Sequence, residues 1–131
     1  MKHSTVAALL FTAAAVTASA AWAGEKAAPV VLVDTVNHVA SGSLGTARNV
    51  ATTYSMVGCW VNASSTGSPN GYCAARNSAA VTGVCTTTSP ELIEQIRTIS
   101  GDSFIRFYWD ESGYCTSILV SNYSSFEPKA P

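Results

Sequence analysis

Few residues of this 131-residue chain have the types and spacing needed for acid–base or nucleophilic chemistry. Beyond the first 23 residues the one histidine is His38, four positions after Asp34 in a segment typical of a strand or a linker. Side chains four residues apart are neighbours on a helix but not on a strand. No G-x-S-x-G sequence supplies a strained nucleophile. A Ser-His-Asp hydrolase is therefore not the favoured interpretation.

Paired carboxylates are the other route to acid–base catalysis. Asp110 and Glu111 are adjacent in a predicted turn, where carboxylates commonly shape the turn and stay solvated. Glu91 and Glu94 lie in the first turn of a predicted helix, where the helix dipole already explains them. A small secreted hydrolase is thus the alternative function, and we expect the protein not to be an enzyme.

Four cysteines, Cys59, Cys73, Cys85 and Cys115, are separated by 14, 12 and 30 residues. With no C-x-x-C pair and no histidine among them, they do not resemble a zinc site. An even number in a small exported chain favours two disulfides, for which three pairings exist. We expect Cys59–Cys73 and Cys85–Cys115, because the first pair flanks a predicted hairpin and the second ties a helix to the last strands. No motif for a cofactor or metal is present.

The tripeptide Ala-Arg-Asn occurs twice and places Arg48 and Arg76 in similar surroundings. Asn49 precedes its cysteine by ten residues, whereas Asn77 precedes its cysteine by eight. This mismatch favours coincidence over an internal repeat. The two arginines are still candidates for an anion-binding pair, since guanidinium groups bind carboxylates well; two independent surface arginines are the plainer interpretation.

Aromatic side chains are the remaining binding candidates. Trp60 and Tyr72 lie on predicted strands, and Trp109 and Tyr114 flank the predicted turn in YWDESGYC. Rings at the face or rim of a sheet can hold a sugar or a partner protein, although core packing is the alternative. The sequence therefore predicts a non-enzymatic binding module for a protein or a glycan, with this hairpin as the contact surface.

The start of the chain is typical of a secretory signal peptide. Lys2 and His3 precede an apolar stretch, and Ala21-Trp22-Ala23 supplies a cleavage site before Gly24. The stretch is shorter than the ~20 residues that span a bilayer, so we expect no membrane span. The alanine-rich signal is typical of bacteria. These features predict a periplasmic or secreted protein.

Removal of residues 1–23 leaves 131 − 23 = 108 residues, with six basic and eight acidic side chains and a formal charge of −2. Nucleic acids and anionic membranes are bound mainly through clustered Lys and Arg. The nearly neutral composition therefore argues against either partner.

The remaining chain divides into a lead at 24–43, one disulfide-bonded domain at 44–123 and a flexible tail at 124–131. Strand patterns occur in PVVLVDTV, in TYSMVGCWV and YCAAR around a loop, in AAVTGVCT, and in the hairpin SFIRFYWDESGYCTSILV. The segment 44–54 fits a short helix or an extended run equally well.

A helix is predicted at about 90–100. Ser89 suits the N-cap position of this helix, and Pro90 suits its first helical position. Gly101 suits the left-handed backbone conformation that commonly ends a helix, here called a left-handed stop. Leu92, Ile93, Ile96 and Ile99 form one apolar face. The predicted fold is α+β: a small antiparallel sheet with one packed helix, held by two disulfides.

Overall fold

The computed structural model describes residues 25–128. The predicted signal peptide at 1–23 and the last three residues of the predicted tail lie outside the described residues. The described part contains seven strands and two short helices: β1 (Leu32–Asp34), β2 (Val39–Ser43), α1 (Leu44–Asn49), β3 (Met56–Asn62), β4 (Asn70–Arg76), β5 (Thr82–Thr87), α2 (Pro90–Arg97), β6 (Phe104–Trp109) and β7 (Cys115–Ser121).

The strands form two antiparallel sheets, one in the order β1-β2-β6-β7 and one in the order β3-β4-β5. The antiparallel pairing and the two disulfides agree with the expected fold, which is compatible with α+β. The prediction of a single sheet with one helix was too simple. The structure is richer in sheet, and the ambiguous segment 44–54 contains the second helix, α1.

The core lies between the two sheets. Along β6, Ile105 and Phe107 are fully buried while Arg106 and Tyr108 are exposed, as expected for a strand with a period of two. Phe107 is in register with Ala40 of β2 and with Ile118 of β7. The inner face of the second sheet adds Val57, Ala75, Cys73 and Cys85 to the same cluster.

Helix α2 begins as the sequence predicts and ends earlier. The Ser89 hydroxyl accepts a hydrogen bond from the Leu92 N–H, and Pro90 is the first helical residue. Ile93 and Ile96 are buried. The helix ends at Arg97, and Gly113 is the one glycine of residues 25–128 with positive φ. The prediction of a left-handed stop at Gly101 was therefore wrong.

Both expected disulfides are formed. Cys59–Cys73 joins directly paired residues of β3 and β4, with 4.0 Å between their Cα atoms. Cys85–Cys115 joins β5 to the start of β7, with 5.0 Å between their Cα atoms. The second bond therefore links the two sheets covalently.

The two ends of the described chain meet. The Ala27 N–H donates to the Ser125 carbonyl at 2.7 Å, and Phe126 stacks on Phe104 with ring centroids 5.6 Å apart. The Asn49 amide donates to the Pro128 carbonyl at 3.0 Å. Residues 124–128 thus have defined contacts, and the lead segment 24–43 contains β1 and β2; whether the tail is flexible stays a prediction. In the described part of the chain, no helix is long and apolar enough to cross a bilayer.

Candidate functional site

The candidate site is the outer face of the three-stranded sheet. Side chains alternate along a strand, and Cys73 and Cys85 are buried against the core. Their neighbours in the chain therefore point away from the core. In register across β3, β4 and β5, the outward residues are Met56, Arg76 and Thr82; Gly58, Ala74 and Val84; Trp60, Tyr72 and Thr86; and Asn62 with Asn70.

Trp60 and Tyr72 form a stacked pair on this face. They are cross-strand partners, and their ring centroids lie 5.2 Å apart with 13° between the planes. Parallel rings at this separation are offset-stacked, so each covers one side of the other. Trp60 is 52% exposed. The pair therefore offers aromatic surface to a ligand, chiefly through Trp60.

Tyr114 extends this pair across the sheet. The turn before β7 brings Tyr114 beside Thr86 as a parallel bridge, and the Thr86 N–H donates to the Gly113 carbonyl at 3.0 Å. Paired residues on adjacent strands place their side chains on the same side, and Tyr114 is 58% exposed. Trp60, Tyr72, Thr86 and Tyr114 thus form one line across the strands, here called the aromatic row.

Each member of the aromatic row is the chain neighbour of a cysteine. Trp60 follows Cys59, Tyr72 precedes Cys73, Thr86 follows Cys85 and Tyr114 precedes Cys115. The two disulfides therefore lie directly behind the aromatic row, on the inner side of the sheet. They fix the strands that carry the rings.

The residues beside the aromatic row have small or uncharged side chains. On one side lies the amide pair Asn62 and Asn70. On the other side Gly58 pairs with Ala74, and a Cβ added at Gly58 would meet no atom within 4 Å. Ala74 is buried, and Val84, the third residue of this row, is 57% exposed. The one charged residue on the outer face is Arg76, two rows away.

The Trp109 side chain points toward the core and not toward the outer face. It is partly buried in the core cluster, and a Cβ added at Gly83 would lie 2.6 Å from its ring. Its ring centroid is 5.7 Å from that of His38 and 5.7 Å from that of Phe107. Trp109 and Tyr114 were both predicted as binding residues of the hairpin. The structure places Tyr114 on the outer face with Trp60 and Tyr72, whereas Trp109 lies on the inner side of the three-stranded sheet.

The two predicted arginines lie on unlike elements. Arg48 is exposed in the last turn of α1, whereas Arg76 ends β4. The two Ala-Arg-Asn copies therefore differ in secondary structure, in line with coincidence. Within residues 25–128 the one ion pair joins Arg97 to Glu94, so neither Arg48 nor Arg76 has an acidic partner there.

His38 lines a shallow open depression of about 300 Å³ together with Asp110 and Glu111. The Asp110 carboxylate accepts hydrogen bonds from the N–H groups of Ser112 and Tyr114, each at 2.9 Å, and so shapes the turn. The His38 ring lies against Trp109. His38, Asp110 and Glu111 thus lie in one depression, but the Asp110 carboxylate already accepts hydrogen bonds from backbone N–H groups.

Asp34 also comes near His38, because residues 35–38 form a turn and not a continuous strand. The Asp34 carboxylate accepts from the N–H groups of Asn37 and Val36, both at 2.9 Å, and from the Asn37 side chain at 2.6 Å. These bonds, led by the Asn37 N–H, hold the pKa of Asp34 below its usual value, and the nearby His38 lowers that pKa further. The Asp34 carboxylate therefore stabilises the turn between β1 and β2.

Three cysteine sulfurs, those of Cys73, Cys85 and Cys115, lie within 4.8 Å of one another. Such a cluster could hold a metal ion if the thiols were free. Here all three sulfurs belong to disulfides, which removes them as ligands.

Sequence reasoning missed Thr86, Asn62 and Asn70 as members of the outer face. A usable signal was present: if cysteines face the core, the residues next to them face outward. Applied to Cys85, this rule selects Thr86. Comparisons of this chain with protein-family models, with curated proteins and with solved structures give no match.

Proposed function

We propose that the protein is an exported, non-enzymatic binding module and that the outer face of β3, β4 and β5 is its binding surface. The observation that carries this proposal is the stacked pair of exposed Trp60 and half-buried Tyr72, continued by exposed Tyr114 in one row. Disulfides are typical of proteins that work outside the cytosol, which supports export.

The composition of the face supports a role in recognition. Interface centres are enriched in Trp, Tyr, Met and Arg and depleted of Lys, Glu and Asp. The outer face carries Trp60, Tyr72, Met56 and Arg76, with no lysine or carboxylate among its residues. Trp60 and Met56 are 52% and 44% exposed, and a partner that covered them would remove this apolar surface from water.

The covalent framework behind the face supports the same role. Ligand binding is weakened by the entropy lost when mobile side chains become ordered. Here the disulfides Cys59–Cys73 and Cys85–Cys115 tie down the backbone at the residue next to each ring position. A surface organised in advance loses less entropy on binding, which suits recognition more than it suits a purely structural role.

The test uses peptide and glycan arrays probed with the purified protein and with Trp60→Ala. Any ligand retained by the wild type should bind Trp60→Ala more weakly by at least ~1 kcal/mol. Tyr123→Ala is the matched control, because Tyr123 is 68% exposed but lies outside the outer face. Ligands that bind Trp60→Ala as well as the wild type, or the absence of any ligand on both arrays, would reject the proposal.

A second candidate function is favoured by one observation, the meeting of His38, Asp110 and Glu111 in one depression. A small hydrolase could use His38 as its general base there. His38→Ala would then abolish hydrolysis of a substrate while leaving array binding unchanged. No change in any turnover on His38→Ala would remove this candidate.

A further inference from the structure

We propose that the free edge of β3 pairs with the same edge of a second copy of this chain, in an antiparallel dimer with two-fold symmetry. This inference goes beyond the proposed function, because it concerns the edge of the three-stranded sheet and not a ligand on its outer face. Three observations carry it: unpaired backbone groups along β3, the absence of features that block an edge, and the position of Trp60.

Every second residue of β3 turns its backbone N–H and C=O away from β4. In an antiparallel pair, Cα atoms lie about 5.5 Å apart where two residues exchange hydrogen bonds and about 4.5 Å apart where they do not. The Cα atoms of Cys59 and Cys73 are 4.0 Å apart, so this pair exchanges none. Because the pattern alternates along the strand, Val57, Cys59 and Val61 direct their backbone polar groups to the free edge.

The far side of the sheet gives the same alternation. There the Thr86 N–H points out of the sheet and donates to the Gly113 carbonyl, so the backbone groups of the preceding residue, Cys85, point to β4. Cys85 is in register with Cys73, which therefore uses its own backbone groups on β5. Both sides of the sheet thus place the backbone groups of Cys59 at the free edge.

The accessible part of this edge lies at Cys59 and Val61. Both side chains face the core yet are only half-buried, whereas Cys85 and Thr87 at the opposite edge of the sheet are buried. Within residues 25–128, no hydrogen bond reaches the edge N–H and C=O groups of Cys59 and Val61. Val57 is buried and is left out of the pairing. The edge therefore offers four backbone groups that an added strand can satisfy.

The strand β3 has none of the features by which proteins block a sheet edge. Such features are a very short strand, a bulge, a proline or a charged side chain. β3 is seven residues long, pairs with β4 without a register shift, and contains neither proline nor a charged residue. By contrast, β1 has three residues, and the segment at Gly113 and Tyr114 covers the edge of β5. The edge of β3 is therefore open to another strand.

The position of Trp60 selects a second copy as that strand. If Cys59 of each copy pairs with Val61 of the other, all the unpaired groups of both residues are satisfied. Trp60 then lies opposite Trp60 of the second copy, at a pair without hydrogen bonds, where side chains are closest. Trp60 is 52% exposed, and aromatic pairs directly across two strands stabilise a sheet. β7, the long edge strand of the other sheet, contains no aromatic residue, so self-pairing there gains no such contact.

The dimer joins the two three-stranded sheets into one sheet of six strands. A two-fold symmetric interface uses the same patch on both copies, so the outer faces lie side by side and the two aromatic rows become continuous. The strand contact uses residues 58–62 of each copy, far fewer than the ~20–30 residues a side of a standard interface. The dimer should therefore be reversible and dissociate on dilution.

The first experiment uses the unmodified protein without any ligand. Sedimentation velocity over a wide range of protein concentration should show a reversible equilibrium between monomer and dimer. Amide hydrogen exchange, followed by NMR, should slow at Cys59 and Val61 as the concentration rises, because the N–H groups of these residues become hydrogen-bonded. Exchange at the amides of β7 should not depend on concentration.

The second experiment tests the contact of Trp60 with its own copy. Trp60→Lys and Trp60→Glu should each raise the dissociation constant of the dimer about tenfold or more, because the ring pair is lost and like charges lie directly opposite. A mixture of the two variants should dimerise more tightly than either variant alone, since opposite charges then meet. Tyr123→Lys is the matched control, because Tyr123 is exposed outside the outer face, and it should change the constant less than twofold. Thermal unfolding checks that each variant keeps its fold.

A wild type that stays monomeric at every concentration overturns the inference, as does concentration-dependent protection at β7 in place of β3. Trp60 variants that dimerise as well as Tyr123→Lys, or a mixture that dimerises no better than its components, would also overturn it. The proposed function fails separately, because ligand binding on the arrays decides it and the measurements on the unmodified protein involve no ligand.

Discussion

Trp109 and Tyr114 flank the same turn, yet their side chains lie on opposite faces of the three-stranded sheet. Trp109 is in register with Cys115, which is buried, so both point inward. Tyr114 is the residue before Cys115 and points outward beside Thr86. At the scale of single residues, the buried side chain of Cys115 thus separates Trp109, which packs on the core, from Tyr114, which lies on the outer face.

Trp109→Ala is expected to destabilise the protein by about 3 kcal/mol, because it removes a partly buried ring that covers Gly83 and contacts Phe107. Chemical denaturation measures this loss. Tyr114→Ala is the comparison and should change stability by less than ~0.5 kcal/mol. The sequence instead predicts both residues to be binding anchors, so a Trp109→Ala variant of unchanged stability would support that interpretation.

At the scale of elements, the turn between β1 and β2 depends on the ionised Asp34. Its pKa is lowered chiefly by the Asn37 N–H. A group whose pKa is lower in the folded state contributes stability above its unfolded pKa and loses that contribution as the pH falls through the folded pKa. The turn should therefore loosen only in acid.

An NMR titration of the Val36 and Asn37 amides from pH 6 to pH 2 checks this expectation. Both shifts should follow one midpoint below the ordinary aspartate pKa of about 3.9. Asp34→Asn should abolish that transition while Asp102→Asn leaves it in place. A midpoint at or above the ordinary value would show that the carboxylate is not held by the turn.

The local elements could be predicted from the sequence, because their signals lie within a few residues. Ser89 and Pro90 determine the start of α2, and the alternation of Ile105 and Phe107 identifies β6. The arrangement of the strands into two sheets could not be predicted, since β2 pairs with β6 across more than sixty residues of sequence. The aromatic row depends on that arrangement, which is why Trp60 and Tyr114 were identified singly and not as neighbours.

At the scale of the whole molecule, the two disulfides connect different parts of the fold. Cys59–Cys73 closes a short loop within one sheet, whereas Cys85–Cys115 closes a longer loop and joins the two sheets. In the chain-entropy model, loops of 14 and 30 residues correspond to about 3 and about 3.6 kcal/mol of stabilisation. For a domain of this size these are large shares of the net stability.

Replacing Cys85 and Cys115 together by alanine should therefore lower the free energy of unfolding more than replacing Cys59 and Cys73 together. Denaturant unfolding of the two double variants compares the losses directly. Non-reducing peptide mapping of the wild type should recover the same two links. An equal or reversed order of stability would mean that the bond between the sheets does not organise the molecule.

The central claim is that the outer face of β3, β4 and β5 is where this protein meets its ligand. Mapping amide chemical shifts of the protein with a ligand identified on the arrays tests that claim most directly. We predict that the shifted amides cluster on Trp60, Tyr72, Thr86 and Tyr114 and their neighbours on the face. Shifts centred on His38 and Glu111, with the aromatic row unchanged, would contradict the account.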